Sequence, residues 1–514
     1  STQGVSSAAS DVYKRQVINY GRLDDYLGPY LVADLESGRL TDEEAYRYIH
    51  SLWTMIENRR TTVNGRIIVG GKGRKHPKEA DVFLHIAMKV AKNCRYVEPQ
   101  FTLRFDKETS EEIWDEALDA LGAGATYPTL YNDDVNVPAV MYGMRVDEKT
   151  AEQYVPFGCT EFVIQGQSTG TPNICINLLK LLTIYMNDGI DPIDGKRKSG
   201  PVPLKKLEEY QTFEEFYDGY KALLDYYLDL SVKAQYHSYE VMNQHVSFLF
   251  TSLLTDDCIA RGKALLDGGV RYLGGTNETY GNINTSDSLW VIRDLVFNQK
   301  KYTLRQLNDA MLANFNGYEA LRKDCLNCDK YGNDLETADT MANDLYEFVA
   351  KGVRNRGIAI GMQYFLIVIS NNQLNTEWGN RTAASPDGRL SCMYMNPANN
   401  PQGGANKSGP TAMLNSLAKF DAKYHGGSVQ NIKFSPSMFN ENRAVIKSLF
   451  KTYFAKGGCH LMVTVVDKGV LEDAVEHPEN YPDLIVRVSG FSAVFVDLSP
   501  NIQQELLSRV LYDK

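Results

Sequence analysis

Near its carboxyl end the chain carries the string Val486-Arg487-Val488-Ser489-Gly490-Phe491-Ser492-Ala493. Apolar residues alternate over 484–488, which predicts a strand, and 500–510 has the apolar spacing of a helix. A glycine between two such elements usually serves a turn whose backbone conformation other residues avoid. Glycine is also suited to carry a radical on its α-carbon. Such a radical is stabilised by an amide donor on one side and a carbonyl acceptor on the other, and it becomes planar without a side-chain clash. Gly490 is therefore either a turn residue or a store for an unpaired electron.

A second string, Pro156-Phe157-Gly158-Cys159-Thr160-Glu161-Phe162, brings a thiol and a carboxylate close together. An isolated cysteine is commonly a small buried hydrophobe. A thiol can also carry a radical, because its S–H bond is close in strength to an activated C–H bond, and this use requires an apolar pocket that excludes water. Phe157 and Phe162 suit such a pocket. A carboxylate there has its pKa raised by desolvation, which suits Glu161 to general acid and base chemistry.

The two strings together resemble the signatures of the glycyl radical enzymes. These are arginine-valine-any-glycine-tyrosine or phenylalanine near the carboxyl end, and the glycine-cysteine-any-glutamate loop of the dehydratase-like and decarboxylase-like members. The resemblance implies that Gly490 stores the radical, that Cys159 forms a thiyl radical and that Glu161 moves protons. It also implies that the radical loop is supported by Arg487, Val488, Ser489 and Phe491.

Further segments resemble the same family in the same order from about Trp53 onward. They are 122–138 with Tyr131-Asn132-Asp133-Asp134, 268–272 with Asp287-Ser288-Leu289, 380–383 with 386–389, 408–412, 457–460, and 477–481. Each segment is short, but their agreement in order identifies the chain as a member of the glycyl radical enzymes.

Helical and strand patterns alternate along the chain, which indicates an α/β architecture. The resemblance implies a ten-stranded α/β barrel in two half-barrels, surrounded by helices, with the cysteine and glycine loops meeting at its centre. We expect residues 1–16 to be unstructured or foreign to the natural protein, 17–390 to form the barrel region, and 391–514 to form a glycyl radical domain packed into the same barrel. Family members are several hundred residues longer at the amino end, so we expect early barrel strands and some substrate contacts to be missing.

Composition limits the partners and the location. The 514 residues include 64 acidic and 54 basic side chains, a formal net charge of −10, with no dense basic run, so nucleic acid is not an expected partner. No apolar stretch approaches the roughly 18 residues of a membrane span, and the amino end lacks a secretory signal. We therefore expect a cytoplasmic protein, with the interior of a bacterial microcompartment as an alternative. The eight cysteines are sparse, and we expect them to be reduced.

The resemblance also implies partners. A separate activating enzyme with an iron–sulfur cluster and S-adenosylmethionine would remove a hydrogen atom from Gly490. We expect a small-molecule substrate and a homodimer. We expect no bound metal or organic cofactor on this chain, since the cluster and S-adenosylmethionine belong to the activating enzyme.

Departures from the family's patterns reduce the number of candidate reactions. Pyruvate formate-lyase has two adjacent cysteines, whereas Cys159 lies between Gly158 and Thr160, and the four-cysteine zinc site of anaerobic ribonucleotide reductase is not visible. The remaining candidate reactions are elimination of water, an amine or sulfite, and decarboxylation of an aryl acetate. Phe162 replaces the proline of well-known dehydratase loops and favours a less familiar specificity. We favour a dehydratase-like lyase, with a decarboxylase or a formate acetyltransferase-like C–C lyase as the alternative. A non-catalytic scaffold or inactive fragment is a hypothesis of another class.

Several local patterns give structural predictions. Thr41-Asp42-Glu43-Glu44 predicts a capping box. We expect helices over 109–121, capped by Thr109, and over 173–186, and a mobile loop over the glycine-rich stretch 65–73. Cys325-Leu326-Asn327-Cys328 has the spacing of half a zinc site, but no second pair follows, so we interpret the spacing as coincidence.

Overall fold

The computed structural model describes residues 19–59, 65–170, 173–246, 248–369 and 374–513. The chain divides into two compact units. The first contains residues 1–142, 146–165 and 429–514, and the second contains 143–145 and 166–428. The segment 1–16 lies outside the described residues, and the domain boundary expected at residue 390 stays a prediction.

The first unit is built on a six-stranded sheet. In spatial order its strands are Asn19–Arg22, Arg66–Gly70, Phe101–Phe105, Thr129–Asn132, His460–Val465 and Asn431–Phe434. The first four strands run parallel, the fifth runs antiparallel to the fourth, and the sixth is parallel to the fifth. Every residue of Arg66–Gly70 and Phe101–Phe105 is buried, as is typical of parallel strands that helices cover on both faces.

Helices connect and flank these strands. They are Leu23–Glu36, Asp42–Glu57, Pro77–Asn93, Glu111–Gly122, Asp133–Met144, Glu148–Ala151, Pro436–Glu441, Arg443–Ala455, Lys468–Glu476 and Pro500–Ser508, with 3₁₀ turns at Pro478–Asn480 and Phe495–Asp497. The helix Pro77–Asn93 forms because apolar residues recur at helical spacing, and its Phe83, Ala87 and Val90 are buried.

Two short antiparallel hairpins also belong to the first unit. The cysteine hairpin pairs Tyr154–Phe157 with Glu161–Ile164. The glycine hairpin pairs Ile485–Arg487 with Ser492–Val494. The strand predicted over 484–488 is thereby confirmed in its central residues.

The second unit is built on a four-stranded parallel sheet. Its strands, in spatial order, are His425–Ser428, Tyr364–Ile369, Gly274–Tyr280 and Asn173–Asn177. Its helices are Leu178–Met186, Phe213–His245, Leu249–Leu253, Cys258–Arg261, Asn282–Val291, Leu304–Leu312, Glu319–Asn327, Glu336–Ala359, Leu374–Gly379 and Gly409–Ala418. A π-helix continues one of them over Ile292–Asn298, and 3₁₀ turns lie at Leu207–Glu209, Leu265–Asp267 and Ala422–Tyr424.

Two local predictions are wrong in an instructive way. The helix expected over 173–186 begins only at Leu178, because Asn173–Asn177 pairs as a strand with Gly274–Tyr280. The mobile loop expected over 65–73 is largely the buried strand Arg66–Gly70. In both places a long-range strand partner decides the structure, and local spacing contains no information on that partner.

The helix caps give one confirmation and one correction. Thr41 forms the predicted capping box, since its hydroxyl accepts from the Glu44 amide and the Glu44 carboxylate accepts from the Thr41 amide. The helix Glu111–Gly122 is capped by Ser110 and not, as predicted, by Thr109. The Thr109 hydroxyl instead accepts a hydrogen bond from the Asp106 amide at 3.0 Å. Within the described ranges, every helix is too short or too polar to cross a bilayer.

Candidate active site

Cys159 lies at the tip of the cysteine hairpin and is 1% exposed. Phe157 and Glu161 are paired across the hairpin, so the turn contains Gly158, Cys159 and Thr160. Gly158 has a φ of +54°, a left-handed conformation that L side chains avoid. A tight turn therefore holds the thiol in a buried position.

Glu161 folds back over this turn. Its Oε2 accepts a hydrogen bond from the Thr160 amide at 2.9 Å, and the residue is 3% exposed. A Cβ built on Gly158 would lie 2.7 Å from the same Oε2, so only glycine leaves room for the carboxylate. The loop thus places a carboxylate beside the segment that carries the thiol.

The glycine hairpin is anchored in an apolar cluster. Val488 and Phe491, on either side of its tip, pack with Val466, Phe495 and Leu506. The Val488 amide donates to the Phe491 carbonyl at 3.0 Å and closes the loop. Gly490 is therefore presented on a loop whose two ends are fixed by buried side chains.

Gly490 lies against Cys159. A Cβ built on Gly490 would lie 2.3 Å from both the Cα and the Cβ of Cys159, and 2.7 Å from its carbonyl oxygen. A Cβ lies about 1.5 Å from its own Cα, so the Gly490 Cα is within about 3.8 Å of the carbon that carries the thiol. The φ of Gly490 is outside the left-handed region, so close approach, and not backbone conformation, requires glycine here.

Arg487 supports the glycine loop from inside. Its side chain is 1% exposed; Nε donates to the Ser489 carbonyl at 3.0 Å and Nη1 to the Ser492 hydroxyl at 3.2 Å. The guanidinium lies 5.0 Å from the centre of the Tyr127 ring. Burial lowers the pKa of Arg487, an effect that Tyr127 partly opposes. The predicted support from Arg487 thus has a definite geometry.

A second arginine, which the sequence did not single out, holds the loop from outside. Arg509 Nη2 donates to the Val488 carbonyl at 2.6 Å and to Glu505 Oε2 at 2.7 Å, and its Nε donates to Glu505 Oε1 at 2.8 Å. Glu505 is 2% exposed. The spacing of Glu505 and Arg509 along the helix predicts an ion pair, but nothing in it indicates contact with the glycine loop.

A third arginine holds the cysteine turn. Arg66, on a buried strand, donates through Nη2 to the Gly158 carbonyl at 2.8 Å and through Nη1 to the Thr102 hydroxyl at 2.8 Å. Its Nη2 also contacts the side-chain oxygen of Gln100. These residues are distant in sequence from the cysteine string, so only the fold reveals the support.

The base of the cysteine hairpin rests on a buried ion pair. Arg104 donates from Nε and Nη2 to the two carboxylate oxygens of Asp133, at 2.9 and 2.7 Å, and from Nη1 to the Tyr154 carbonyl at 2.7 Å. The Tyr154 hydroxyl donates to Asp133 at 2.7 Å. Burial opposes the charge of Arg104, but Asp133 keeps its pKa above the ordinary value. Such a paired network fixes the strand from which the turn projects.

Tyr131 adds a polar group that the sequence did not single out as functional. Its side chain is fully buried, its ring packs 4.6 Å from that of His460, and its hydroxyl has no hydrogen-bond partner among the described residues. Burial raises the pKa of Tyr131, Arg66 and Arg487 oppose that shift, and Glu161 adds to it. A phenol hydroxyl is a hydrogen-bond donor as well as an acceptor.

Two further groups of side chains have the spacing of metal ligands. Among the described residues, His85, Glu112 and Glu116 form a group with metal-ligand spacing. His85 Nδ1 lies 2.8 Å from Glu116 Oε2, and this hydrogen bond raises the pKa of His85. Burial raises the pKa of Cys325 to about 12 and that of Cys328 to about 11.

Comparisons with known proteins agree with the geometry. Residues 5–374 match the family described as Pyruvate formate lyase-like, and residues 395–496 match Glycine radical. The chain belongs to the pyruvate formate lyase-like family.

Its relatives include several dehydratases. The chain is 29% identical to trans-4-hydroxy-L-proline dehydratase of Clostridioides difficile, over 95% of this chain and 64% of that protein. It is 27% identical to (2S)-3-sulfopropanediol dehydratase of Klebsiella oxytoca, over 96% of this chain and 62% of the relative. The chain thus spans somewhat less than two thirds of the length of these relatives.

Solved structures confirm the fold class. The glycerol-bound B12-independent glycerol dehydratase from Clostridium butyricum matches with a TM-score of 0.88 and 28% identity, over 96% of this chain and 64% of that one. Hydroxyproline dehydratase from Clostridioides difficile matches with a TM-score of 0.88 and 27% identity, over 96% of this chain and 64% of that one. The predicted family and the predicted α/β fold of the glycyl radical enzymes are thereby confirmed.

Proposed function

We propose that this chain is the radical-bearing part of a lyase in which Gly490 stores an unpaired electron and Cys159 delivers it to a small polar metabolite. The observation that carries the proposal is the contact between the Gly490 and Cys159 backbones inside a buried site. Hydrogen-atom transfer requires such proximity, and structural packing of a hairpin alone does not require a thiol at that point.

The cycle conserves atoms and electrons. A separate activating enzyme, using an iron–sulfur cluster and S-adenosylmethionine, removes one hydrogen atom from Gly490. The S–H bond of Cys159 then breaks as the Cα–H bond of Gly490 forms, and the thiyl radical takes a hydrogen atom from a substrate carbon. The leaving group departs from the neighbouring carbon while Glu161 moves a proton. The product radical takes the hydrogen atom back from Cys159, which becomes a thiyl radical again. The Gly490 Cα–H bond then breaks as the Cys159 S–H bond forms, and Gly490 is again the radical.

Dehydration is the reaction that the relatives favour. Relatives named as dehydratases reach 29% and 27% identity, whereas the glycyl radical subunit of 4-hydroxyphenylacetate decarboxylase from Clostridioides difficile reaches 25%. Three isethionate sulfite-lyases, each 26% identical, support elimination of other leaving groups as an alternative. A substrate with a hydroxyl group next to an activated C–H bond fits Tyr131, whose buried hydroxyl is available as a donor.

The first test is radical formation. The chain is incubated anaerobically with a radical S-adenosylmethionine activating enzyme, and its electron paramagnetic resonance spectrum is recorded. We expect a doublet from one α-hydrogen in the wild-type chain and in Cys159→Ala, and no signal in Gly490→Ala. A folded wild-type chain that stays silent supports the scaffold hypothesis and contradicts the proposal.

The second test is turnover. Activated protein is offered 1,2-diols, hydroxyproline, hydroxysulfonates and an aryl acetate, and products are followed by mass spectrometry. We expect a dehydration product from the wild-type chain and none from Cys159→Ala. Cys94→Ala is the matched control, because Cys94 is a half-buried thiol at the end of the helix Pro77–Asn93. A product from the aryl acetate alone favours the decarboxylase instead.

The homodimer and the cytoplasmic location remain predictions. Analytical ultracentrifugation of the purified chain tests the first, with a species of twice the chain mass of 57.8 kDa expected. Fractionation of the native host tests the second, and recovery with microcompartment shells would favour the alternative location.

A further inference from the structure

The peptide group that joins Ser489 to Gly490 has an unusual partner. Its carbonyl belongs to Ser489 and its N–H to Gly490, so its nitrogen is bonded directly to the radical carbon. The carbonyl accepts a hydrogen bond from Arg487 Nε at 3.0 Å. A cation therefore acts on one of the two groups that stabilise a radical at Gly490.

The direction of the effect follows from amide resonance. The nitrogen lone pair of this peptide is shared between its own carbonyl and the half-filled orbital on the Gly490 Cα. A guanidinium at the carbonyl oxygen draws the lone pair toward that oxygen, so less of it reaches the radical. The radical is then less stabilised, and the Cα–H bond of Gly490 becomes stronger and closer in strength to the S–H bond of Cys159.

The surroundings make this effect larger than it would be in water. Arg487 is 1% exposed, and its guanidinium is fixed by Ser492 and lies over the Tyr127 ring. Hydrogen bonds are electrostatically stronger and polarise their neighbours more in such a low-dielectric interior. The contacts to the Ser489 carbonyl and the Ser492 hydroxyl place the guanidinium beside this peptide.

We propose that Arg487 sets the energy of the Gly490 radical by polarising the Ser489–Gly490 peptide, and so eases hydrogen transfer from Cys159. This inference rests on the proposed function. In the step concerned, the Cys159 S–H bond breaks homolytically, the hydrogen atom with its electron forms the Gly490 Cα–H bond, and the unpaired electron remains on sulfur. No net charge moves and no other reactant is needed.

Arg509 supplies the matched control. Its guanidinium also binds a loop carbonyl, but this is the Val488 carbonyl, at 2.6 Å, one peptide further from Gly490. Loosening either arginine disturbs the loop mechanically. Of these two arginines, Arg487 is the one that binds the amide whose nitrogen is bonded to the radical carbon.

The test measures the spin on that nitrogen. Protein labelled with ¹⁵N-glycine is activated anaerobically, and the nitrogen hyperfine coupling of the radical is measured by pulsed electron–nuclear spectroscopy. In Arg487→Met we expect this coupling to rise by on the order of 10–30%, the range by which neighbouring hydrogen bonds strengthen one another through polarisation. Arg487→Lys is expected to give a smaller rise, and Arg509→Lys, which leaves a cation opposite Glu505, a coupling equal to that of the wild-type chain.

Circular dichroism first establishes that each variant is folded. If Arg487→Met does not fold, Ser492→Ala replaces it, because loss of the Nη1 contact loosens the guanidinium, and a smaller rise is expected. An unchanged coupling in the folded Arg487 variant, or an equal change in Arg509→Lys, overturns the inference while leaving the proposed function intact. A wild-type chain without a doublet overturns the proposed function and this inference together.

Discussion

Replacement of Gly490 by alanine tests the contact on which the site depends, before any radical is formed. The added methyl would lie 2.3 Å from two carbon atoms of Cys159, where carbon atoms normally approach to about 3.5–4.0 Å. Both atoms belong to the backbone or are attached to it, so no side-chain rotation relieves the clash. One of the two hairpins has to move.

The expected loss in the free energy of unfolding is at the upper end of the range for overpacked interiors. Added methyl groups in well-packed interiors cost about 1–3 kcal/mol, and we expect about 3 kcal/mol for Gly490→Ala because the obstacle is backbone. Urea unfolding of the unactivated protein, followed by fluorescence, measures the change in the free energy of unfolding. A crystal structure of the variant is expected to show the glycine hairpin displaced from Cys159.

Gly469→Ala is the control. Gly469 lies in the first turn of the helix Lys468–Glu476, its φ is outside the left-handed region, and an added methyl meets only Asp467 Oδ1, at 3.1 Å. Alanine is the better helix former, so the free energy of unfolding is expected to change by less than about 1 kcal/mol. Equal stability of the Gly490 variant and the wild-type chain would refute the close approach of Gly490 to Cys159.

Three further predictions concern chemistry and pH. Gly158→Ala loses the left-handed turn and crowds the Glu161 carboxylate, so we expect the doublet to form but turnover to fall roughly 100-fold; a normal rate would argue against proton transfer by Glu161. The hydrogen bond to Glu116 raises the pKa of His85 in the folded state. The charged pair therefore stabilises the folded protein below the pKa of the unfolded state, and this stabilisation is lost as pH rises through the raised pKa. Glu116→Gln is therefore expected to lower the free energy of unfolding by less than about 1 kcal/mol at about pH 6, because both side chains are about a third exposed, and to leave it unchanged at about pH 9. Urea unfolding at the two pH values measures the difference, and a difference that does not change with pH would contradict this assignment. Oxygen added to activated protein is expected to cut the backbone at Gly490 and release a short carboxyl-terminal fragment visible by mass spectrometry, and an intact activated chain would count against the radical assignment.

The sequence singles out Gly490 and Cys159 because radical chemistry restricts the residue types that can carry it. Only glycine forms the backbone radical without a clash, and only a thiol exchanges a hydrogen atom nearly thermoneutrally with carbon. These two residues lie in short strings with recognisable neighbours, so Gly490 and Cys159 were predicted together, and the structure brings them into contact.

The supporting residues were not predictable, since they act across long separations in sequence. Arg66 binds the Gly158 carbonyl from 92 residues away, and Arg104 binds the Tyr154 carbonyl from 50 residues away. An isolated arginine in a short apolar run gives no sign of its partner. The strand that carries Arg66 was itself mistaken for a loop, because glycines bracket its five residues and its neighbours in the sheet come from elsewhere in the chain.

Exchange of the Gly490 α-hydrogen with solvent deuterium tests the central claim most directly. A thiol exchanges its hydrogen with water, so reversible transfer between Cys159 and Gly490 carries deuterium from solvent to the glycine carbon. In D₂O we predict that the doublet of the activated wild-type chain collapses to a singlet, while the doublet of Cys159→Ala persists. A doublet that collapses equally fast in both, or persists in both, would contradict transfer between Gly490 and Cys159.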